Sequence, residues 1–232
     1  MAKLFSKQVS VYFAGFDLGT ATTSTMISLE LEALDKTALG DGAETVIAGI
    51  RHDQAEWSGL YDDGTSMDAA GSAMIGSGTN NVLSVHIGTT IGSRAYAGTA
   101  LLLMTKPLSS VKGLVQQEAI FKPDQSWDRG QTQLLNTSFT GSGSSGSIDN
   151  AALTTGGGKW YLHVFTYSGG GTTVVSLEDS ADAASWAAVG TVGAISARSS
   201  YRNTFTGTLR RYTRVTKTAT GTAQLAAVVV RD

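Results

Sequence analysis

A chain of 232 residues with 41% apolar side chains, 28 Gly, 2 Pro and no Cys can build one large β domain or two ordinary ones, and it excludes disulfides and thiolate metal sites. Charged residues make up only 16% of it, below the roughly 25% of average soluble domains, which favours a surface partly hidden against other subunits. Net charge is −2, yet residues 1–76 carry 11 acidic and 4 basic side chains while residues 198–232 carry 7 basic and 1 acidic. Either this is ordinary solvated surface, or opposite faces of one subunit attract when copies stack.

The first residues, Met1-Ala2-Lys3-Leu4-Phe5-Ser6-Lys7, show no apolar run behind their charges and read as neither signal peptide nor lipid anchor. Gly15-Phe16-Asp17-Leu18-Gly19-Thr20-Ala21-Thr22 resembles the first phosphate-binding hairpin of actin-like ATPases. That family's second Asp-Gly phosphate segment and its adenosine segment are missing from the chain, so a strand turning at a glycine is expected instead. Ile27 to Ala33 alternates apolar and polar residues, which predicts a half-buried strand with one wet face. Asp35 to Glu44, with Gly40 and Gly42, reads as a polar turn or extended loop, and Thr45 to Ile50 and Ala55 to Tyr61 as strands.

A short helix is expected over Ser66 to Met74, with Asp63 and Ser66 as N-caps, and a second over Asp182 to Val189 behind Ser180. Trp160 to Thr166, Thr172 to Leu177, Leu209 to Thr216 and Ala223 to Val230 are rich in β-branched and aromatic residues and read as strands. About twelve to fourteen short strands punctuated by Gly, Ser and Asn predict an all-β chain with sandwich or barrel-like packing. The longest apolar stretches, Ala100 to Met104 and Leu225 to Val230, are too short to span a bilayer. Residues 141–147, Gly-Ser-Gly-Ser-Ser-Gly-Ser, form a flexible tract that divides the chain into 1–140 and 148–232 as linker or loop. Similar feature order in the two halves admits an internal duplication, or a chance echo of low-complexity sequence.

Catalytic and ligand-binding patterns are weak. Gly156-Gly157-Gly158-Lys159 lacks the upstream glycine spacing of a phosphate loop and has Trp160 where Ser or Thr should stand. His52, His86 and His163 have no partner at metal-ligand spacing, and no nucleophile elbow accompanies His52-Asp53. Asp62-Asp63-Gly64 and Glu178-Asp179-Ser180-Ala181-Asp182 are acidic turns without calcium-loop spacing. Arg210, Arg211, Arg214 and Lys217 form a basic cluster with no reading helix, so contact with a protein subunit is favoured over nucleic acid. No enzyme and no cofactor is expected.

Over residues 8 to 140 the order of features resembles the major tail proteins, the tail-tube subunits, of long-tailed bacteriophages. The opening strand Val9 to Leu18, the acidic alternating strand Ile27 to Leu34, the turn Asp35 to Gly40, and Ala43 to Ile50 leading into Ala55 to Asp63 carry the likeness. A helix and meander follow, and Gly113 to Phe121 with Gln131 to Phe139 resembles the closing strand pair. The second half, through Trp160 to Val164, Ser180 to Trp186 and Arg210 to Val215, is similar to the C-terminal part of some phage tail proteins and also to carbohydrate-binding sandwiches. Ser77 to Gly98 departs from the pattern.

The resemblance implies a virion tail protein assembled in the host cytoplasm, with no membrane contact, which partners with itself and with other tail proteins. Its subunits would form rings of three or six, stacked into a tube that conducts DNA without binding it specifically. Glu30 and Glu32 would line the lumen, whereas Asp35, Lys36, Asp41, Glu44, Arg210, Arg211 and Arg214 would meet neighbouring subunits. Asp35 to Glu44 would bridge rings, and residues 1–8 would be a mobile arm. Two other readings stand beside it: a head decoration or neck protein, and a glycan-binding module stacking sugars on Trp160, Tyr161, Trp186 and Tyr201. Alternation sets Trp160 in register with Leu162 and Val164 and so favours the core for it.

Overall fold

The computed structural model describes residues 8–36, 46–61, 67–75, 80–109, 115–169, 171–218 and 220–232. The first half supplies β1 (Val9–Phe13), β2 (Phe16–Asp17), β3 (Thr22–Ser28), β4 (Leu31–Asp35), β5 (Val46–Arg51), β6 (Gln54–Leu60), helix α1 (Met67–Met74), β7 (Asn81–Ile87), β8 (Arg94–Ser109), β9 (Val115–Pro123) and β10 (Asp128–Thr140). The second supplies β11 (Gly143–Ser144), β12 (Ile148–Asp149), β13 (Gly158–Ser168), β14 (Thr173–Ser180), β15 (Ala187–Ile195), β16 (Ser199–Phe205), β17 (Tyr212–Thr218) and β18 (Thr222–Arg231). The chain is all-β, with antiparallel pairing throughout the described strands.

An 11-stranded sheet runs β16-β13-β18-β10-β8-β7-β1-β2, and β9, β6 and β3 branch from β8. The branch exists because β8 is long enough to serve two layers. Its start pairs with β10 and β7, and from Ala100 onward it pairs with β9, bending at a bulge between Leu102 and Met104. The fold of the sheet at this corner encloses a core of Val11, Phe13, Leu18, Trp57, Leu83 and Phe121, closed by Met67 of α1. A second, 5-stranded sheet of β11, β12, β17, β14 and β15 packs over β13, β18 and β10. Trp160, Leu162 and Val164 of β13, as their alternation predicts, fill that second core together with Leu225, Ala227 and Val229 of β18.

Both faces of β18 are buried. Its odd-numbered residues face the second core, while Ala226, Val228 and Val230 pack against Phe165, Tyr161, Tyr12 and Val82. This explains the unbroken apolar run at the end of the chain, since a strand wetted on neither face has no need of alternation. The sheet thereby rolls until its ends meet: the Val82 amide donates to Ser200 Oγ at 3.2 Å, and the Gly15 amide to His163 Nδ1 at 3.4 Å. Gly15 sits at φ +81°, where a Cβ would lie 2.6 Å from the Val164 carbonyl oxygen and 2.8 Å from that of Ser199.

At this seam lies a chain of buried polar groups. Because the Gly15 amide donates to Nδ1 of neutral His163, its Nε2 carries the proton and donates to Ser84 Oγ at 2.9 Å. Ser84 in turn donates to His86 Nε2 at 3.0 Å, and His86 Nδ1 donates to Thr132 Oγ1 at 2.9 Å. Tyr12 packs against both rings. Burial holds each imidazole neutral, pushing both pKa values down from 6.5 to about 3, with the neighbouring His86 adding to the effect at His163.

Several expectations change here. Asp182 to Val189 is no helix: the Asp182 carboxylate accepts from the amides of Ala184 and Ser185, Ala183 takes φ +61°, and β15 begins at Ala187. An aspartate that satisfies the backbone locally competes with helical bonding. Ile27 to Ala33 is not one half-buried strand: the strand breaks at residues 29 and 30, and Leu29 and Leu31 are half exposed or more because no second layer of described residues covers them. Residues 141–147 are bonded into the second sheet. Gly143 pairs with Lys217, Ser145 with Val215, and the buried Lys217 ammonium donates to the carbonyls of Gly141 and Gly221. The first helix stands as α1, whereas Asp63 and Ser66, read as its caps, lie outside the described residues.

Two outcomes follow. Gly15→Ala forces a methyl against two carbonyls in a left-handed conformation and should cost about 2 kcal/mol or more in urea unfolding. For the histidines the folded pKa lies below the unfolded one, so between about pH 6.5 and 3 the unfolded chain binds up to two more protons. Stability should therefore be full above pH 6.5 and fall as pH drops, by at most about 1.4 kcal/mol per pH unit for each histidine. Urea titrations from pH 8 to 4 should show that slope, and His86→Gln should flatten it relative to wild type even though its starting stability is lower.

Candidate functional site

The feature that the core leaves unexplained is an arm. β3 and β6 pair with Ser28 opposite Gln54, and the same register carries on to Leu31 opposite Arg51, so β4 and β5 extend the β3–β6 ladder beyond the core. At the junction the His52 amide donates to the Glu30 carbonyl, and the buried Asp53 holds Arg51 at 3.0 Å. Beyond it β4 pairs only with β5 among the described residues. Leu31 is 57% exposed, Val46 56% and Ile50 70%, with Leu29, Leu34 and Ile47 exposed beside them. An isolated two-stranded ribbon is marginal in water, and apolar side chains gathered on one mark a surface meant to be covered.

The acidic residues expected to line a lumen lie on this arm. Glu30 is exposed at the junction and Glu32 is exposed on β4, 3.9 Å from His52 Nε2. Asp35 and Lys36 lie exposed at the outer end of β4, and Asp41 and Glu44 fall outside the described residues. Arg210, Arg211 and Arg214, expected to meet neighbouring subunits, each pair with a carboxylate within the chain. Arg210 holds the buried Asp179 at 2.5 Å, Arg211 holds Asp149 at 2.5 Å, and Arg214 holds Glu178 at 2.8 Å while stacking over Trp186 at 4.2 Å. The bonds from Arg211 keep the Asp149 carboxyl down at about 2. Sequence reasoning passed over the apolar members of the arm, since alternation signals burial without saying which molecule provides it.

The remaining candidates serve the fold. Asp17 accepts from the Gly19 amide at 2.8 Å and from Asn136, and Thr22 accepts from the Trp57 indole at 2.7 Å, so the Gly15–Thr22 segment is tied internally. Lys159 binds Asp128 at 2.7 Å. In the acidic turn Glu178 and Asp179 are held by arginines and Asp182 by backbone amides, which leaves no ligand cradle there. Asp62 and Asp63 lie outside the described residues. Trp160 and Tyr161 are buried, Tyr201 packs on the second core and Trp186 lies under Arg214, so the aromatic residues proposed for sugar stacking form no common platform. Among the described residues no group of three or more His, Cys, Asp or Glu side chains could hold a metal, and no helix is long and apolar enough to cross a membrane.

If the arm contributes nothing to the core, Leu31→Thr, Ile47→Thr and Ile50→Thr should each change unfolding stability by less than about 0.5 kcal/mol. Together they should lower binding of a hydrophobic dye by the native protein. A loss of several kcal/mol in chemical denaturation would instead place the arm within the cooperative fold.

No family model matches the chain, and no curated protein does. Among solved structures, a chain from the virion of a native gene transfer agent particle superposes with TM-score 0.45 at 16% identity, covering 55% of this chain and 98% of that one. A chain from the tube-terminating cap of the anti-feeding prophage gives 0.45 at 10% identity, over 56% of this chain and 93% of that one. The SPP1 Dit protein, from a hub adsorption apparatus of phages infecting Gram-positive hosts, gives 0.40 at 9% identity but spans 95% of this chain and 98% of its own. At these scores and identities the likeness is one of outline alone.

Proposed function

We infer that this chain is a structural subunit of a phage-type tail, in which the arm of one copy lies across the next copy around a ring. The exposed apolar arm carries this reading. Leu31, Val46 and Ile50 do not pack on the chain's own core, and covering them on a neighbour removes their apolar area from water, at roughly 25 cal/mol per Å². The edge of β3 points the same way: it pairs only with β6 among the described residues, and closing strands around a ring removes such edges. The feature order of residues 8 to 140 supports a tube subunit in particular.

In this reading residues 1–140 form the tube-like unit and 148–232 a second sandwich joined to it. Duplicated halves would give rings of three, and unrelated halves rings of six. Glu30 and Glu32 lie on the arm, so in this reading they travel with it onto the neighbouring copy. The chain works as a virion component together with other tail proteins, and performs no catalysis.

Negative-stain electron microscopy of the concentrated protein tests this. Rings or stacked rings are expected from the wild type, with three or six lobes deciding the stoichiometry, and single particles from the Leu31→Thr, Ile47→Thr, Ile50→Thr variant. Wild-type particles that stay monomeric at every protein and salt concentration would overturn the reading in favour of a decoration or binding module.

A further inference from the structure

A second surface has a composition the fold does not need. Gln131 of β10 pairs with Arg94 of β8 on one side and with Val229 of β18 on the other. Two residues on, in the antiparallel sense that brings them level, come Arg129 and Arg231, and alternation turns both to the same face as Gln131 and Val229. These side chains line a cleft of about 500 Å³ at the rim of the second core. Three guanidiniums thus share one face of three adjacent strands, an arrangement that like charges on paired strands disfavour.

Among the described residues no carboxylate is paired with Arg94, Arg129 or Arg231, although Arg51, Arg210, Arg211 and Arg214 each have one. Asp128, next to Arg129 in the chain, is taken by Lys159 and Tyr161. Arg231 is fixed in place by the carbonyls of Asn150 and Ala152, yet its Nε is buried with no acceptor. A cluster of guanidiniums that keeps its mutual repulsion is prepared for an oxyanion that arrives from outside the chain.

We propose that this cleft receives Glu30 and Glu32 from the arm of a second copy. The inference rests on the reading that the arm is lent to a neighbour, and it names where the arm docks. Charge complementarity selects the occupant: Glu32 lies on the exposed β4 strand and Glu30 at its base, and neither is paired with a Lys or Arg among the described residues. Two carboxylates spaced two residues apart on a strand lie about 7 Å from each other along it, a spacing that three strands of guanidiniums about 4.8 Å apart can meet. The contact joins the acidic first part of the chain to basic side chains of β8, β10 and β18, whose own acids are engaged elsewhere.

A charge exchange tests it, read by sedimentation velocity over a range of protein concentrations at 50 and 500 mM salt, with circular dichroism as the check on folding. Arg94 and Arg129 are exposed, so Arg94→Glu with Arg129→Glu should fold and weaken self-association roughly tenfold or more, as should Glu30→Lys with Glu32→Lys. Combining all four should restore most of the lost affinity, and wild-type association should weaken at the higher salt. Association of the double variants equal to wild type, or a fourfold variant no better than either double, would overturn the docking site. If the Leu31→Thr, Ile47→Thr, Ile50→Thr variant still loses assembly in that case, the arm reading survives alone. A wild type that never associates would overturn both. Fluorescence anisotropy with a short DNA duplex supplies the remaining arm: binding lost on Arg94→Glu with Arg129→Glu, while self-association is unchanged, would assign the cleft to nucleic-acid phosphate instead.

Discussion

The ladder between β18 and β10 is the constraint on which the rest of the structure depends, because it makes one sheet out of strands from both ends of the chain. With β18 in place, β13 can pair on its other side, and both strands acquire a core on each face. The histidine, serine and threonine chain at the seam follows from that double burial. Polar groups taken out of water must bond one another, and a neutral imidazole, with one donor and one acceptor, can pass hydrogen bonding from Gly15 to Thr132.

Charge is distributed to suit this architecture. In the second sheet Arg210, Arg211 and Arg214 answer Asp179, Asp149 and Glu178 within the same layer, so the cluster braces strands and turns. Only Asp179 among these pairs is well buried, and it is the one gripped from both the Arg210 side chain and the Arg210 amide. Arg94, Arg129 and Arg231 come together only because three strands distant in sequence are neighbours in the sheet.

The arm shows the opposite economy. Its register continues from the well-packed β3–β6 pair, whose Trp57 and Ala55 belong to the first core, into a ribbon whose apolar side chains meet water. A strand pair anchored at one end and exposed at the other forms at little entropic cost, because the anchored half already sets the register. A two-stranded ribbon of this kind is marginal in water by itself.

The class of the fold and much of its local detail are legible in the residue pattern. Alternation at Trp160, Leu162 and Val164 marks a core-facing strand whatever its partners, and the run from Ala223 to Val230 reads as a strand, whose burial on both faces the fold adds. The glycine at position 15 is legible as a turn. Partnership between surfaces emerges only on folding. The turn at Asp182 reads as a helix until its carboxylate is seen to bind two amides, and residues 141–147 read as a linker or loop, with the bonds to Lys217 and Val215 visible only in the fold. Pattern along a strand reports which side chains share a face, a property of the backbone's two-residue period. Which surface that face meets depends on contacts between residues far apart in the chain, so the pairing of the basic cluster, the gathering of Arg94, Arg129 and Arg231, and the exposure of the arm became visible only in the folded molecule.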